Sequence, residues 1–270
     1  MRSRIEFCAQ ETGVRCVHFR RCRTHGFTGY RANVDCAAYF HQRGGGAFPY
    51  AGPILIGGNL YGTTYSGGAN YAGTAFELKH QGSGWVLATL YDFLGGQDGD
   101  GPYSGVVTGP GGMLYGATYS GGNGYGTVYR LHPPANVCQA TDCPWVEDVL
   151  YRFLGGNDGA HPGNADALTF DSAGNVYGTT AGDKNADGNI GTVFELSPSN
   201  GGWTESVLYR FTRDEQPLAG VTFDAAGNLH GTTSAGGHGY GTVYELSPSS
   251  NGWVYQTIYE FQNMGDGATP

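Results

Sequence analysis

The chain has 270 residues, of which 49 are glycine and 13% are aromatic, and its formal net charge is −9. Aromatic side chains supply buried area that disordered Gly-rich chains lack, and no amphipathic helical pattern is present, so the composition predicts an all-β protein with many tight turns. Residues 1–49 carry eight Arg and three acids, whereas residues 50–270 carry six Lys/Arg and 20 acids, and this acidic body argues against nucleic-acid binding because it repels phosphate.

The Arg- and Cys-rich head, residues 1–44, differs in pattern from the rest of the chain. We expect it to be a degenerate first blade or a partly disordered segment. Its first thirty residues lack the apolar run of a signal peptide. No stretch of the chain has the length and apolar character of a transmembrane helix, so we expect no membrane insertion.

Four copies of one repeat follow the head. The copies of its first segment, typified by GNLYGTTYSGG, begin at residues 58, 112, 174 and 227, which are 54, 62 and 53 residues apart. A second segment occupies residues 73–78 (GTAFEL), 126–131 (GTVYRL), 191–196 (GTVFEL) and 241–246 (GTVYEL). A third begins at Trp85, Trp145, Trp203 and Trp253, and a strand such as GVTFD (220–224) precedes each first segment. Four short antiparallel strands at this period are typical of a β-propeller blade.

The third segment places aromatic residues at fixed positions, with a Tyr-x-Phe six residues after each Trp, as in Tyr91 and Phe93. Strand alternation predicts that residues 85, 87, 89, 91 and 93 share one face. We expect these aromatic side chains to pack between adjacent blades. A platform for stacking sugars is the alternative.

The phase of the repeat predicts the number of blades. Residues 34–40 (VDCAAYF) stand where the outermost strand of a blade belongs, and 270 residues divided by 54 gives five. We therefore predict a five-bladed propeller with a degenerate first blade, with four blades as the alternative. The predicted complete repeats span residues 45–93, 94–153, 154–211 and 212–270.

The repeated GNLYGTT, GTVYEL and LYxF segments resemble the bacterial Gly-rich tandem repeats of the choice-of-anchor GloVer family over residues 45–270. The resemblance implies a propeller-like fold and export from the cell. It does not imply a reaction.

The third repeat departs from the others in one loop, where the sequence DKNADGN places Asp183, Asn185, Asp187 and Asn189 at alternate positions. Alternating oxygen ligands followed by a glycine are typical of calcium loops, so these four residues are candidate Ca²⁺ ligands. The twelfth position holds Phe194 where an EF-hand has Glu. An Asx-rich surface turn is the alternative.

Candidate catalytic residues are Asp158, His161 and His238, which lie in loops on the same predicted face. A loop histidine can act as a general base, and Asp158 could pair with Asp98 as the two carboxylates of a glycosidase. The alternatives are solvated histidines and ordinary Asp-Gly turns. His230 replaces the Tyr of GNLYG within a strand, where we expect it to pack.

Cys138 and Cys143 lie in one Pro-flanked insertion and predict a local disulfide that closes a hairpin loop, with free thiols as the alternative. A zinc site is disfavoured, because two further ligands at suitable spacing are missing. Such a disulfide favours an exported protein, extracellular or periplasmic.

Two classes of function fit these patterns. The first is an exported calcium-binding propeller that recognises an extracellular glycan, protein or small molecule on its loop face. The alternative is a calcium-dependent hydrolase of lactones or esters, in which the ion polarises the carbonyl, and a glycoside hydrolase is the second alternative. The patterns do not specify an oligomeric state.

Overall fold

Nineteen β-strands and two single-turn 3-10 helices make up the regular structure of the described part of the chain. The computed structural model describes residues 5–9, 15–19, 35–39, 46–135, 144–163, 168–182, 191–212 and 215–270. Within these ranges, no helix is long and apolar enough to cross a membrane. The strands are β1 (Ile5–Ala9), β2 (Arg15–Phe19), β3 (Asp35–Tyr39), β4 (Ile54–Ile56), β5 (Asn59–Thr64), β6 (Thr74–Gln81), β7 (Gly84–Asp92), β8 (Val107–Thr108), β9 (Leu114–Thr118), β10 (Thr127–His132), β11 (Val146–Arg152), β12 (Thr169–Phe170), β13 (Val176–Thr180), β14 (Thr192–Ser199), β15 (Gly202–Arg210), β16 (Thr222–Phe223), β17 (Leu229–Thr233), β18 (Thr242–Ser249) and β19 (Gly252–Glu260).

Each repeat forms one four-stranded antiparallel sheet whose strands pair in chain order. We number these sheets blade 1 (β4–β7), blade 2 (β8–β11), blade 3 (β12–β15) and blade 4 (β16–β19). The predicted fold class, an all-β propeller with four-stranded antiparallel blades, is confirmed. Strands β1, β2 and β3 form a separate three-stranded sheet, and β3 lies against β7 of blade 1. The predicted division between head and repeats at residue 44 stays a prediction.

The glycine of each GNLYGTT segment makes room for an aromatic ring on the neighbouring strand. In blade 1, Gly62 pairs with Phe76 across β5 and β6, and a Cβ at Gly62 would lie 2.7 Å from the Cζ atom of that ring. Gly178 and Phe194 repeat this arrangement in blade 3, again with 2.7 Å to the Cζ atom. The glycine therefore belongs to the packing of the blade core.

The threonines of the repeat form buried pairs across the second and third strands. The hydroxyl oxygens of Thr64 and Thr74 lie 2.9 Å apart in blade 1, and those of Thr118 and Thr127 lie 2.8 Å apart in blade 2. Blades 3 and 4 contain the equivalent pairs. These hydroxyls satisfy backbone groups inside the blade, which explains why every copy keeps a threonine at both positions.

Aromatic rings fill the boundaries between successive blades, as predicted. Phe93 of blade 1 meets Tyr129 of blade 2 with 4.9 Å between ring centroids, in an edge-to-face arrangement. Phe153 and Phe194 repeat this contact between blades 2 and 3, and Phe211 and Tyr244 repeat it between blades 3 and 4. In blades 1, 2 and 3 the Phe of the Tyr-x-Phe segment therefore stabilises the boundary with the next blade.

The prediction that residues 85–93 share one face is wrong beyond residue 89. The pairing of β6 with β7 matches Phe76 with Thr89 and Ala75 with Tyr91, which leaves Leu90 as an extra residue. Such a β-bulge interrupts the alternation of side chains. A register shift occurs at the same place in all four blades, and it turns Leu90 into the core, where it is 5% exposed.

Candidate functional site

The face of blade 4 that carries His230 and Thr232, called here the open face, differs from its counterparts in blades 1 and 3. In blade 1 the hydroxyl of Thr63 donates a 2.7 Å hydrogen bond to the carbonyl of Ser104, in the segment that leads into blade 2. In blade 3 the hydroxyl of Thr179 donates a 2.8 Å hydrogen bond to the carbonyl of Ala219, in the segment that leads into blade 4. Thr232 holds the equivalent position in blade 4, where its hydroxyl has no hydrogen-bond partner among the described residues, and blade 2 has Ala117 there.

A cavity of about 580 Å³ lies on this face. Its walls include Val221, His230, Thr232, Val243 and Pro270. The volume falls within the range of small-molecule sites, and the lining combines apolar groups with a hydroxyl and an imidazole. This cavity is largely open to solvent, and its lining offers apolar contact together with directional polar groups.

His230 also belongs to a cluster with two carboxylates. Its Nε2 atom lies 3.3 Å from Oδ2 of Asp224 and 3.7 Å from Oε2 of Glu245. One ligating atom from each of the three residues lies within 4.8 Å of the other two. The hairpin pairs His230 with Glu245 directly across β17 and β18, and Asp224 follows β16, so three adjacent strands position the cluster.

A tight turn fixes the carboxylate of Asp224. Its Oδ1 accepts hydrogen bonds from the backbone nitrogens of Ala226 and Asn228, at 2.8 and 2.9 Å, and its Oδ2 accepts one from the Asn228 side chain at 2.9 Å. These hydrogen bonds, led by that from the Asn228 backbone, lower the pKa of Asp224 to about 2. Asp224 is therefore an ionised, oriented ligand at neutral pH.

Blade 3 contains the same arrangement with a tyrosine in place of the histidine. Asp171 forms the same turn and its Oδ2 accepts a 3.1 Å hydrogen bond from the hydroxyl of Tyr177. The equivalent residues of blades 1 and 2 are also tyrosines, Tyr61 and Tyr115. His230 thus introduces a nitrogen ligand between carboxylates at a position where the other copies place a phenol.

An imidazole and two carboxylates form a donor set for a divalent transition ion. Nitrogen and oxygen ligands together suit zinc or manganese, whereas calcium sites are built from oxygen alone. Adjacent ligands of a tetrahedral zinc ion with bonds of about 2.0–2.1 Å lie roughly 3.4 Å apart. The distances from His230 Nε2 to its two carboxylate neighbours, 3.3 and 3.7 Å, bracket that value, and the shorter one is also a hydrogen bond between His230 and Asp224.

From its place in a strand, His230 is expected to pack, and the repeat pattern does not predict the cluster. The signal was a Tyr-to-His change at an aligned position of the repeat. Its importance depends on Asp224 and Glu245, six residues before and fifteen residues after it, and only the pairing of the strands brings these two carboxylates to one side chain.

The predicted calcium ligands and disulfide lie outside the described residues. This applies to Asp183, Asn185, Asp187 and Asn189 and to Cys138 and Cys143. Both assignments stay predictions.

Asp158 and Asp98 close equivalent turns in successive blades. Asp158 accepts hydrogen bonds from the Tyr151 hydroxyl at 2.7 Å and from the Leu154 backbone nitrogen at 2.6 Å. Asp98 accepts the same two bonds from Tyr91 and Leu94, at 2.8 and 2.7 Å. The two carboxylates therefore have matching surroundings, whereas acid–base catalysis requires two groups with different ones.

The two candidate loop histidines have separate partners. The ring of His161 stacks on that of Tyr119, with centroids 4.2 Å apart, and its Nδ1 lies 2.8 Å from the Tyr119 carbonyl oxygen. His238 is exposed, and its Nε2 lies 3.4 Å from Oε2 of Glu260. Their catalytic roles stay predictions.

No known protein family matches the chain, and no characterised protein matches its sequence. The resemblance to the choice-of-anchor GloVer family therefore stays an expectation drawn from the repeat. Solved structures with some similarity include an α-L-arabinofuranosidase from Clostridium thermocellum (10% identity, TM-score 0.43, 96% of this chain and 94% of that chain). Another is a protein of unknown function from Dyadobacter fermentans (12% identity, TM-score 0.42, 96% of this chain and 69% of that chain). Likeness of this extent does not indicate a shared activity.

Proposed function

We propose that the protein is a binding propeller that captures its ligand at the open face of blade 4, with a divalent metal ion held by Asp224, His230 and Glu245. The observation that carries this proposal is that His230 belongs both to the carboxylate cluster and to the wall of the cavity. A ligand in the cavity therefore lies beside the ion.

The cluster has the accessibility that such a role requires. The side chains of His230, Asp224 and Glu245 are 28%, 34% and 26% exposed, so an ion can enter from solvent. Three protein ligands leave at least one position of a tetrahedral ion for an oxygen atom of the ligand. The proposal includes an extracellular ligand and a separate calcium ion at residues 183–189, as expected from the sequence.

A metal-dependent hydrolase of lactones or esters is the second candidate. The open coordination position favours it, because an ion with three protein ligands can polarise a carbonyl or activate a water molecule. Colorimetric esters, lactones and p-nitrophenyl glycosides, assayed with Zn²⁺ and with EDTA, separate this candidate from simple binding. Metal-dependent turnover of a glycoside would instead favour the glycosidase alternative.

The metal is tested by isothermal titration of the EDTA-treated full chain with Zn²⁺, Mn²⁺ and Ca²⁺. We expect one equivalent of Zn²⁺ or Mn²⁺ to bind, and His230→Tyr to weaken that binding at least about 10-fold. His230→Tyr is a matched variant, because it gives blade 4 the side chain that blade 3 already has. His238→Ala serves as the control, since it removes a histidine outside the cluster. Equal affinity in the parent and His230→Tyr would overturn the proposed site.

A further inference from the structure

Five aromatic side chains form a strip along blades 1, 2 and 3, where the loop after the second strand of a blade meets the segment that precedes the blade. This aromatic strip consists of Tyr50, Tyr65, Tyr103, Tyr119 and His161. Tyr50 and Tyr103 stack with 4.6 Å between ring centroids, and Tyr65 meets the two rings edge to face at 5.7 and 5.6 Å. Tyr103 lies 6.5 Å from Tyr119, which stacks on His161 at 4.2 Å. The five rings therefore form one continuous surface.

The fold of the loops does not require the tyrosines that follow the second strand. In each blade the residue after that strand donates a backbone hydrogen bond to the segment before the blade. The donors in blades 1 and 2 are Tyr65 and Tyr119, at 3.0 and 2.9 Å. Those in blades 3 and 4 are Ala181 and Ser234, at 3.1 and 2.7 Å. Because the same contact forms with small side chains, the backbone geometry does not account for the two rings.

The segments that join the blades differ between copies in the same way. Each contains a proline, and the residue after it is Tyr50 before blade 1 and Tyr103 before blade 2. Gly163 and Leu218 hold this position before blades 3 and 4. The first two copies thus share tyrosines at two aligned positions where the last two have none.

His161 extends the strip at the cost of backbone strain. Its φ angle is 59°, in the left-handed region that favours glycine, and Gly101 holds the aligned position before blade 2 with a φ of 66°. Stacking on Tyr119, together with the 2.8 Å contact between Nδ1 and the Tyr119 carbonyl oxygen, holds the imidazole in place. Strain of this kind is concentrated at binding sites, where a side chain is needed at an unfavourable position.

The rings of the strip are held by one another and are still accessible. Tyr50 is 40% exposed, and Tyr65, Tyr103 and Tyr119 are half-buried. The hydroxyls of Tyr65 and Tyr103 have no hydrogen-bond partner within the described ranges. The strip therefore presents fixed apolar ring surfaces next to polar groups that can still form hydrogen bonds.

The backbone and the charge near the strip restrict the class of ligand. Ala47 pairs with Ser66, and Asp100 pairs with Ser120, in isolated antiparallel bridges, so an extended peptide finds these backbone groups already in use. The strip contains no Asp, Glu, Lys or Arg, and residues 50–270 carry 20 acids and six Lys/Arg. An acidic body of this kind repels polyanions. The surface therefore suits an uncharged ligand with flat apolar faces and hydroxyl groups.

We propose that the aromatic strip binds a neutral polysaccharide chain. The C–H faces of successive sugar rings pack on the aromatic rings, and the sugar hydroxyls bond with the hydroxyls of Tyr65 and Tyr103. The loop 119–125 (YSGGNGY) also has the Tyr, Ser, Gly and Asn composition of binding loops that use rigid aromatic contacts. None of the five residues belongs to the metal cluster of blade 4, so this site does not depend on that cluster.

Affinity electrophoresis of the full chain in native gels tests the proposal, with mixed-linkage β-glucan, xylan, galactomannan or polygalacturonate in the gel. We expect at least one of the three neutral polysaccharides to retard the chain and the anionic polygalacturonate to have no effect. Tyr65→Ala and Tyr119→Ala reproduce the alanine of blade 3, and each should raise the Kd about 5-fold or more. Tyr240→Ala is the control, because it removes a tyrosine of blade 4 that is 38% exposed and lies outside the strip. EDTA in every gel keeps the outcome independent of any ion on blade 4.

His161→Gly separates binding from a purely structural role. It gives this position the glycine that blade 2 has at Gly101, so we expect a weaker retention of the chain and an unchanged or higher Tm. A lower Tm with unchanged retention overturns the role of His161. The proposal as a whole is overturned if no neutral polysaccharide retards the parent, or if both alanine variants bind as the parent does. Binding of decaproline in place of any polysaccharide, measured by fluorescence anisotropy and lost in Tyr65→Ala, assigns the strip to a protein ligand and likewise overturns it.

Discussion

Glu147 in β11 of blade 2 lies beside Asp98 in the loop that follows β7, and burial next to this carboxylate raises the pKa of Glu147 and favours its protonated form. Burial, reinforced by the contact with Asp98, raises the pKa of Glu147 to about 10. The Oε1 atom of Glu147 has no hydrogen-bond donor around it in the described structure. A protonated Glu147 removes this deficit, because its hydroxyl can donate to Asp98.

The protonation of Glu147 predicts a pH dependence of stability. The unfolded chain releases this proton near pH 4.5, the ordinary value, whereas the folded chain keeps it up to about pH 10. The stabilisation of the folded chain by protonated Glu147 is therefore full below about pH 4.5 and is lost as the pH rises towards about 10. Glu147→Gln removes the titration, so urea midpoints of the variant should fall less between about pH 6 and pH 9 than those of the parent.

Glu205 provides the control for that measurement. It lies at the equivalent position beside Asp158, and burial raises its pKa to about 7. Glu205→Gln should therefore change the pH dependence below about pH 7 and leave the more alkaline part of the curve as in the parent. An identical slope for Glu147→Gln and the parent above pH 7 would contradict the assignment.

The close approach of the Phe76 ring to Gly62 predicts that a larger residue at Gly62 destabilises the fold. Gly62→Ala places a Cβ 2.7 Å from the Phe76 ring, and overpacking of this kind costs about 1–3 kcal/mol. Gly84→Ala is the matched control in the same sheet, since an added Cβ there meets nothing within 4 Å. Chemical denaturation should show a loss of stability for Gly62→Ala alone.

The buried threonine pair of blade 2 predicts a hydrogen-bonding effect. The Thr118 hydroxyl donates to the Ser120 carbonyl at 2.8 Å and accepts from the Thr127 backbone nitrogen at 3.2 Å. Thr118→Val removes the acceptor of the Thr127 backbone nitrogen and one of two donors to the Ser120 carbonyl, which still accepts from the Asp100 backbone nitrogen at 2.8 Å, at a cost of about 1–3 kcal/mol in the free energy of unfolding. Thr118→Ser should recover most of that loss. Equal destabilisation by both variants would show that the hydroxyl is not the cause.

A pair of equivalent residues tests whether the face of blade 4 is open in solution. Leu150→Ala removes a side chain that is 9% exposed and should cost about 2–5 kcal/mol. Ile258→Ala, at the same position of blade 4, removes one that is 51% exposed and should stay within about 1 kcal/mol. Thermal unfolding of both variants measures these losses of stability, and similar losses in the two variants would show that Ile258 is covered.

The sequence predicted the features that recur in every copy. The strands, and the packing of Phe93 and its equivalents between blades, followed from period and residue type. The packing of Pro217 could not be predicted from the period. Phe211 precedes Pro217 by six residues, whereas Phe93 precedes Pro102 by nine. Yet Pro217 packs against Gly191 as Pro102 packs against Gly73, since a Cβ added at either glycine would lie 2.5 or 2.6 Å from the Cδ atom of its proline.

Two other features could not be predicted from the sequence: the strand register at Leu90 and the contacts that His230 makes with residues distant in the chain. The bulge at Leu90 adds one residue to β7, and no composition signal separates this residue from its neighbours. The cluster around His230 depends on the pairing of β17 with β18, which places residues fifteen positions apart in contact. A one-residue slip of that hairpin would have put Glu245 on the other side of the sheet.

The hydrogen bonds from Thr63 of blade 1 and Thr179 of blade 3 to the segment that leads into the next blade have no counterpart at Thr232 of blade 4 among the described residues, and this has a thermodynamic consequence. In a stacked array, a unit draws stability from its neighbours, and within the described residues blade 4 contacts a neighbour through one face. Local opening should therefore begin there, and amide hydrogens of β17 should exchange faster than those of β13. A ligand that occupies the cavity adds contacts to this face, so its binding should slow amide exchange in β17.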